Sequence, residues 1–379
     1  MIARLALLSS FAVVLAAPLA CSDDGVAASG VDDPDGAAAS SGSGPGQAGS
    51  SGSSGANGSS GSSGSGPNLT SSSSGSGVGP DGASATGYVG QHGALHVVGN
   101  EIHDAQDQAI QLRGMSLFWS QWASPFYNAQ VVHTLATDWG ATVVRAAIGV
   151  ESGGYLENPA AEMARLETIV DAAVAEGIYV IVDWHDHNAH QHTAQAQTFF
   201  GAVSTKYGNV PNVILEVWNE PESVSWSTVK TYAETTLATV RGAGARNLTI
   251  VGSPDWSTDA HLAADNPIAD DNVAYTFHFY AGSHRQSYRD DALAALNKGV
   301  ALFVTEWGTC ESNGNGTVDT AESQRWIDFM AEHHVGWANW SLFDKNEACS
   351  ALVPGSSPTG AWTDASLTAS GRFVKSKIQ

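Results

Sequence analysis

The chain of 379 residues carries 16 basic and 38 acidic side chains, and its net charge of −22 excludes an electrostatic surface for nucleic acid. All 12 Trp lie from Trp119 onward, and no aromatic residue lies between Phe11 and Tyr88. Of the 40 residues in 40–79, 30 are Ser or Gly, a composition that cannot bury enough apolar surface to fold. Residues 87–379 are therefore predicted to form the folded part.

The amino terminus has the pattern of an export signal. Residues 1–20 contain one basic side chain and an apolar run too short for a comfortable membrane span, which predicts a signal peptide. Cys21 follows directly, and the segment resembles a bacterial lipoprotein signal with a lipidated cysteine, although Pro18 replaces the usual aliphatic residue. An ordinary secreted protein and an uncleaved anchor are the alternatives. Residues 21–86 are predicted to be a disordered Ser/Gly-rich linker.

The folded part opens with the pattern of a β-hairpin. Val97 and Ile102 flank Gly99-Asn100, a dipeptide typical of a tight turn between two strands. We expect this N-terminal hairpin to close the bottom of a barrel.

Eight short apolar runs follow, separated by stretches with helical periodicity. Runs that are apolar on both faces are typical of parallel strands covered by helices. One helical stripe extends from Met163 to Val174 and ends at Gly177. The pattern predicts an α/β fold, a (β/α)8 TIM barrel, with a doubly wound open sheet as the alternative. The runs centre near Leu112, Val143, Val180, Leu215, Ile250, Thr276, Phe303 and Ala338.

In such a barrel the functional side chains come from the carboxyl ends of the strands. Period-two alternation after the fourth run places Glu216, Trp218 and Glu220 on the face that points into the barrel mouth. Glu220 and, after the seventh run, Glu306 provide two carboxylates that suit glycoside cleavage, in which one protonates the leaving oxygen and the other attacks or supports the anomeric carbon. For a single Glu, a salt bridge to arginine is the alternative. The strand ends carry Arg145, His185, Glu220, Trp256, His278, Tyr280, Glu306 and Trp340.

Seven strings at these strand ends resemble those of one enzyme family. The strings are Leu112-Arg-Gly-Met-Ser116, Val144-Arg-Ala-Ala147, Val182-Asp-Trp-His185, Trp218-Asn-Glu-Pro221, Phe277-His-Phe-Tyr-Ala-Gly282, Val304-Thr-Glu-Trp-Gly308 and Asn339-Trp-Ser-Leu-Phe-Asp-Lys345. On these strings, residues 88–378 resemble a cellulase of glycoside hydrolase family 5, subfamily 2, an endo-β-1,4-glucanase.

The resemblance implies a retaining double displacement with Glu220 as general acid/base and Glu306 as nucleophile. Because two carboxylates about 5 Å apart repel each other, we expect Glu220 to be protonated in the resting enzyme and Glu306 to be ionised. The implied supporting residues are Arg145 and Tyr280 for Glu306, His278 for Glu220, and Asn219 and His185 for the sugar.

Aromatic rings are implied to form the sugar platform, because a pyranose presents flat C–H faces to a ring. Trp139, Trp218 and Trp326 are instead expected to pack in the core. Phe118 stands where close relatives often have His, which leaves the geometry of the neighbouring subsites open. The implied substrate-binding residues are Trp122, Tyr155, Trp256, Trp340 and Lys345.

A histidine-rich segment supports a rival hypothesis. His185 and His187 have the H-x-H spacing of metal-dependent barrel hydrolases, with Asp183 nearby. The later strand ends supply glutamate and tryptophan rather than further metal ligands, so no metal and no cofactor is predicted; residues 87–379 also contain no Gly-rich nucleotide loop. A non-catalytic carbohydrate-binding barrel would have lost Glu220 or Glu306, and both are present.

Cys310 and Cys349 are predicted to form a disulfide in an exported protein, with buried free thiols as the alternative. The sequence thus predicts an exported, monomeric endo-β-1,4-glucanase that is secreted or anchored at the cell surface and cleaves cellulose-like β-glucan. A preference for mannan or mixed-linkage glucan is the alternative.

Overall fold

The computed structural model describes residues 87–379, and its centre is a closed barrel of parallel strands. The predicted signal peptide, linker and lipidated Cys21 lie outside the described residues. The strands are β1 (His96–Val98), β2 (Glu101–His103), β3 (Arg113–Leu117), β4 (Val143–Gly149), β5 (Tyr179–His185), β6 (Val213–Glu216), β7 (Thr249–Val251), β8 (Val273–Thr276), β9 (Phe279–Tyr280), β10 (Leu302–Gly308) and β11 (Gly336–Leu342).

Strands β3 to β8, β10 and β11 form the barrel in chain order, each parallel to its neighbours. Strand β11 pairs with both β10 and β3, which closes the sheet. The two-residue β9 lies beside the carboxyl end of β10. The prediction of a (β/α)8 barrel is confirmed, and the open sheet is wrong because an open sheet lacks the closing pair.

Helices surround the strands. The stripe predicted from Met163 to Val174 lies within α3, and Gly177 ends that helix in the left-handed conformation with φ 68°. The helices are α1 (Gly87–His92), α2 (Ala129–Thr134), α3 (Pro159–Glu176), α4 (Thr193–Tyr207), α5 (Trp226–Gly242), α6 (Pro254–Ser257), α7 (Ala260–Asp265), α8 (Gln286–Asn297), α9 (Thr320–Glu332) and α10 (Ala369–Ile378), with short 3-10 or π segments at Ser124–Phe126, Leu135–Trp139, Ala189–Gln191 and Asp364–Ser366.

The N-terminal segment closes the bottom of the barrel, as predicted. Strands β1 and β2 form an antiparallel hairpin in which His96 pairs with His103. Ile102 from this hairpin is buried in one apolar cluster with Tyr179 and Ile214, which lie at the amino-terminal ends of β5 and β6. The opposite end of the barrel is thereby left for the site.

Two strands approach closely at Gly114. A Cβ at this position would lie 1.7 Å from the carbonyl oxygen of Val143, so β3 and β4 can be neighbours only with glycine here.

Alternation of side chains stops where β6 ends, at Glu216. Trp218 therefore does not continue the inward face. It is buried against Tyr232 of α5 and stacks on His190, which agrees with the packing role predicted for it.

Cys310 and Cys349 form a disulfide with their Cα atoms 5.4 Å apart, and it joins the end of β10 to the loop after β11. The disulfide closes a loop with a sequence separation of 39, which restricts the unfolded chain. In the chain-entropy model this contributes about 3–4 kcal/mol to the free energy of unfolding. No helix within residues 87–379 combines the length and the apolar character that a membrane span requires.

Candidate active site

Arg145, on β4, is the centre of the candidate site and is completely buried. Its Nε donates to Oε2 of Glu216 at 2.7 Å and its Nη1 to Oε2 of Glu306 at 3.1 Å. Its Nη2 donates to Oδ1 of Asn219 at 2.6 Å and lies 2.9 Å from Oδ2 of Asp183. One guanidinium thus holds together side chains from β5, from β6 and the loop that follows it, and from β10.

The charges around Arg145 do not balance, because one cation faces three buried carboxyl groups. Burial raises the pKa of Asp183 to about 7; the guanidinium opposes this rise and the nearby Glu306 adds to it. Burial also raises the pKa of Glu216, again against the effect of Arg145. The folded protein therefore binds a proton at Asp183 at a pH where a free aspartate has lost it.

Glu306 receives a donor on each oxygen. Arg145 binds Oε2, and the hydroxyl of Tyr280 donates to Oε1 at 2.6 Å. Burial, reinforced by the neighbouring Glu306 carboxylate, raises the pKa of Tyr280 well above its ordinary value, so this hydroxyl stays a donor. Both oxygens of this carboxylate are therefore hydrogen-bond acceptors from groups that keep their protons.

Glu220, in the loop after β6, also has a partner on each oxygen, and both partners are histidines. Nδ1 of His278 lies 2.9 Å from Oε1, and Nε2 of His187 lies 3.4 Å from Oε2. Ligand atoms of Glu220, His278 and Glu306 all lie within 4.8 Å of one another. The two carboxyl groups therefore share one small space at the carboxyl end of the barrel.

The two histidines change the expected protonation of Glu220. Burial raises the pKa of this carboxyl, but the hydrogen bonds and charges of His187 and His278 outweigh burial and lower it. The expectation that Glu220 is protonated in the resting site is therefore wrong. It followed from the repulsion between the two carboxyls alone, without the cationic His187 from the loop after β5.

The partner of Nε2, the other ring nitrogen of His278, shows that this nitrogen carries a proton. Nε2 lies 2.9 Å from Oγ1 of Thr305, and that hydroxyl donates to Oε1 of Glu216 at 2.6 Å. Because the Thr305 proton is used in this bond, Nε2 of His278 must be the donor to Thr305. The 2.9 Å contact between Nδ1 of His278 and Oε1 of Glu220 then needs one proton, which either His278 or Glu220 carries.

His185, the last residue of β5, is held neutral. Its Nδ1 lies 2.7 Å from Oδ2 of Asp183, and its ring stacks on Trp340 with centroids 5.3 Å apart and an interplanar angle of 5°. Burial and the nearby Arg145 charge lower its pKa to about 3. It contributes a neutral ring to the cleft.

The H-x-H pair does not act as one unit. His185 turns to Asp183, whereas His187 faces Glu220 at 3.4 Å and Glu222 at 3.1 Å. The two histidines therefore have separate carboxylate partners.

The predicted platform residues differ in exposure. Trp122 is 47% exposed and Trp340 only 6%, with one face of the Trp340 ring covered by His185. The ring of Trp119 contacts Trp122 and also His185, which stacks on Trp340. Trp122 thus offers an open surface, and Trp340 forms a buried wall.

Tyr155 is not an open platform. Its ring is 7% exposed and packs edge-on against Trp184 and Phe199 in the main apolar core. Burial raises its pKa. The position of Tyr155 in the sequence could not show whether its ring lines the cleft or packs behind the strand.

Trp256 is partly exposed and is presented by an unusual backbone. Asp255, Trp256 and Ser257 in α6 all have φ between 52° and 59°. The Trp256 N–H donates to the carbonyl of Pro221 at 3.0 Å, and the Ser257 hydroxyl donates to the carbonyl of Asn219 at 2.7 Å. This left-handed turn is held against the loop that carries Glu220, which is where stored strain is found in functional sites.

Lys345 lies at the edge of the cleft. Its Nζ is 2.6 Å from Oε2 of Glu347 and 5.3 Å from the ring centre of Phe118. Phe118 in turn packs on Trp340 and stacks on Phe343. The residue that departs from the expected His is therefore an apolar support for the cleft wall.

The sequence analysis placed Glu216 in the barrel mouth without a role, named Asp183 and His187 only for the rival metal site, and gave Thr305 no role. A signal was available for two of them, because Asp183 and Glu216 are charged residues inside strands that otherwise read as fully apolar. Such residues need a buried partner, and Arg145, inside the equally apolar β4, is the matching cation.

Comparison with known proteins agrees with this geometry. A family model described as cellulase (glycosyl hydrolase family 5) matches residues 103–346. The chain belongs to glycosyl hydrolase family 5. The match covers every residue of the Arg145 network and both glutamates.

Relatives within family 5 are similar over the folded part. An endoglucanase of Clostridium saccharobutylicum is 45% identical over 291 residues, 76% of this chain and 65% of the relative, and endoglucanase Z of Dickeya dadantii is 48% identical over 290 residues, 75% of this chain and 66% of the relative. The chain thus spans slightly less than two thirds of these relatives.

Solved structures are similar too. One from Cytophaga hutchinsonii has a TM-score of 0.76 at 47% identity, covering 76% of this chain and 95% of its own. The catalytic domain of Thermobifida fusca endoglucanase Cel5A has a TM-score of 0.74 at 35% identity, covering 76% and 98%. A variant of that domain in complex with cellotetraose has a TM-score of 0.74 at 34% identity, with the same coverages of 76% and 98%.

The raised pKa of Asp183 predicts a pH-dependent stability. A carboxyl with a folded-state pKa of about 7 stabilises the fold fully below its unfolded pKa near 4, and this contribution is lost as pH rises through 7. The free energy of unfolding of wild type relative to Asp183→Asn should fall between pH 4 and 7.5, by up to about 4 kcal/mol. Urea denaturation across this range measures it.

The exposed Asp271→Asn is the matched control and should show no such dependence. A wild-type advantage that grows with pH would mean that Asp183 is ionised and stabilised by Arg145, which contradicts the prediction.

Proposed function

We propose that this chain is an endo-β-1,4-glucanase that cleaves cellulose-like chains by a retaining double displacement. The observation that carries the proposal is the pairing of Glu220 with Glu306, whose ligand atoms lie within 4.8 Å. Retaining glycosidases have carboxyl groups about 5 Å apart, whereas inverting enzymes need a wider gap for a water.

The two carboxyls have partners that suit different roles. Glu306 is fixed by Arg145 and Tyr280, both donors that do not release protons, so it attacks the anomeric carbon and forms a covalent glycosyl-enzyme. Glu220 is bordered by histidines that exchange protons; it protonates the leaving oxygen and then takes a proton from the attacking water.

Asn219 supplies a donor for the sugar. Its Oδ1 is taken by Arg145, which fixes the orientation of the amide and leaves Nδ2. That buried Nδ2 has no hydrogen-bond partner among residues 87–379. A buried donor without a partner is costly, and a sugar hydroxyl beside the nucleophile would satisfy it.

The β-1,4-glucan substrate is inferred from the relatives. The two curated relatives carry the name endoglucanase, and the Thermobifida fusca variant structure holds cellotetraose. The exposed ring of Trp122 and the walls formed by Trp340 and Trp256 provide flat apolar surfaces for pyranose rings.

Removing either carboxyl should abolish hydrolysis of carboxymethylcellulose. We expect Glu220→Gln to lower kcat/KM by about 10²–10⁴-fold, the usual contribution of a general acid, and Glu306→Gln to lower it at least as much. On 2,4-dinitrophenyl β-cellobioside, whose leaving group needs no proton, Glu220→Gln should keep most of its kcat/KM, whereas Glu306→Gln should not.

The exposed Glu332→Gln serves as the control and should match wild type. Proton NMR during wild-type hydrolysis should detect the β-anomer first. Appearance of the α-anomer first would refute retention, and faster cleavage of mannan or mixed-linkage glucan in a substrate panel would refute the β-1,4-glucan preference.

Trp122 is expected to bind the glucan chain away from the cleavage point. Because its ring is 47% exposed, Trp122→Ala should leave the fold unchanged and raise KM for cello-oligosaccharides about 5–30-fold, which corresponds to about 1–2 kcal/mol of lost stacking. Trp122→Phe should restore most of the affinity. A fall in kcat at constant KM would instead place this ring at the reacting sugar.

We further propose that the enzyme is exported and acts as a monomer at the cell surface, held by a lipid on Cys21 through the linker of residues 21–86. The support is the signal-like segment and its cysteine in the sequence. Expressed in bacteria, the wild type should partition into the membrane fraction with a lipid-modified mass, and Cys21→Ser should be released. Wild type released without added mass would favour ordinary secretion.

A further inference from the structure

His187 is one of the two histidines that contact the acid/base, and its own role has not been assigned. Its Nε2 lies 3.4 Å from Oε2 of Glu220, and its Nδ1 lies 3.1 Å from Oε1 of Glu222. The ring is held edge-on against Trp119 with centroids 5.6 Å apart, and the side chain is 31% exposed. His187 thus lies between the partly exposed Glu222 and the reacting carboxyl of Glu220.

The two oxygens of Glu220 differ in how tightly they are held. Oε1 lies 2.9 Å from the buried His278, whereas Oε2 has only the longer contact of 3.4 Å with the partly exposed His187, so we assign Oε2 to the scissile bond. His187 is therefore the nearest titratable partner of the proton that catalysis uses.

We propose that His187 is a positioning residue for Glu220 and that the two side chains share the proton delivered to the leaving oxygen. This inference rests on the proposed glycosidase function and adds a residue to it.

The proton balance is simple. In the resting site the proton is on Nε2 of His187 and Glu220 is a carboxylate. When this proton moves to Oε2 of Glu220, His187 becomes neutral and keeps the proton on Nδ1. The Nδ1–H donates to Glu222, and this hydrogen bond fixes the tautomer of the His187 ring. Oε2–H then protonates the departing oxygen. In the second step Glu220 takes one proton from the attacking water and returns it to Nε2.

The surrounding charges favour this arrangement. Burial lowers the pKa of His187, but Glu220 and Glu222 from the β6 loop and Glu306 from β10 outweigh it and raise the pKa to about 9. On its own segment the facing titratable group is His185, which is neutral. The pair therefore retains one proton to a higher pH than Glu220 could alone.

The decisive experiment is the pH profile of kcat/KM for His187→Gln on cellotetraose, an unactivated substrate. With only Glu220 left to hold the proton, the basic limb should move to lower pH by about one unit or more. On 2,4-dinitrophenyl β-cellobioside kcat/KM should change less than about threefold, since departure needs no proton. Glu222→Gln should shift the same limb in the same direction by a smaller amount.

His192→Gln is the matched control, because His192 lies in the same loop and pairs with Asp186 and Glu151. It should keep the wild-type profile.

An unchanged basic limb in His187→Gln would overturn the proposal, and so would equal losses on both substrates without a pH shift, the sign of a purely structural role. If that variant does not fold, the partly exposed Glu222→Gln decides: a limb shifted to lower pH supports the proposal, and an unshifted one overturns it. Wild type inactive on cellotetraose, or active Glu306→Gln, would refute the function itself.

Discussion

The buried guanidinium of Arg145 is the interaction on which the site depends. It is the cation that binds Asp183, Glu216 and Glu306 at once. A buried charge without partners would cost several kcal/mol. Strands β5, β6 and β10 can therefore place carboxylates here only because β4 supplies the Arg145 cation. Burial, with the negative charge of Glu306 added, then raises the pKa of Asp183 to about 7 against the effect of Arg145, so that this carboxyl retains a proton.

The barrel makes this convergence possible. Parallel strands end at the same rim, and the hairpin β1–β2 with its apolar cluster closes the other end. Short strands matter as much as long ones: β6 stops at Glu216, so the backbone turns before Asn219 and Glu220 and presents them to Arg145 and His278. A longer strand would have pointed alternate residues into the mouth.

The strand number followed from the apolar runs and the hairpin from its Gly-Asn turn, and the structure confirms both. The predicted partners of the two glutamates, Arg145, Tyr280 and His278, contact them in the structure, because each lies in a string tied to a strand end. The sequence did not predict the protonation of Glu220, which depends on His187 in a different loop, nor the burial of Tyr155 behind the strand. Both depend on distances between segments far apart in the chain. Alternation along one strand cannot supply such distances. The alternation itself failed at Trp218, because β6 ends at Glu216.

The two carboxyls differ in the kind of partner rather than in burial. In the proposed mechanism, Arg145 and Tyr280 hold the nucleophile Glu306 with protons that they do not give up. The proposed acid/base, Glu220, changes its charge twice in a catalytic cycle, and it is bordered by imidazoles, which can take up and release a proton. On this proposal, fixed donors on one glutamate and exchangeable ones on the other separate two chemically identical groups into nucleophile and acid/base.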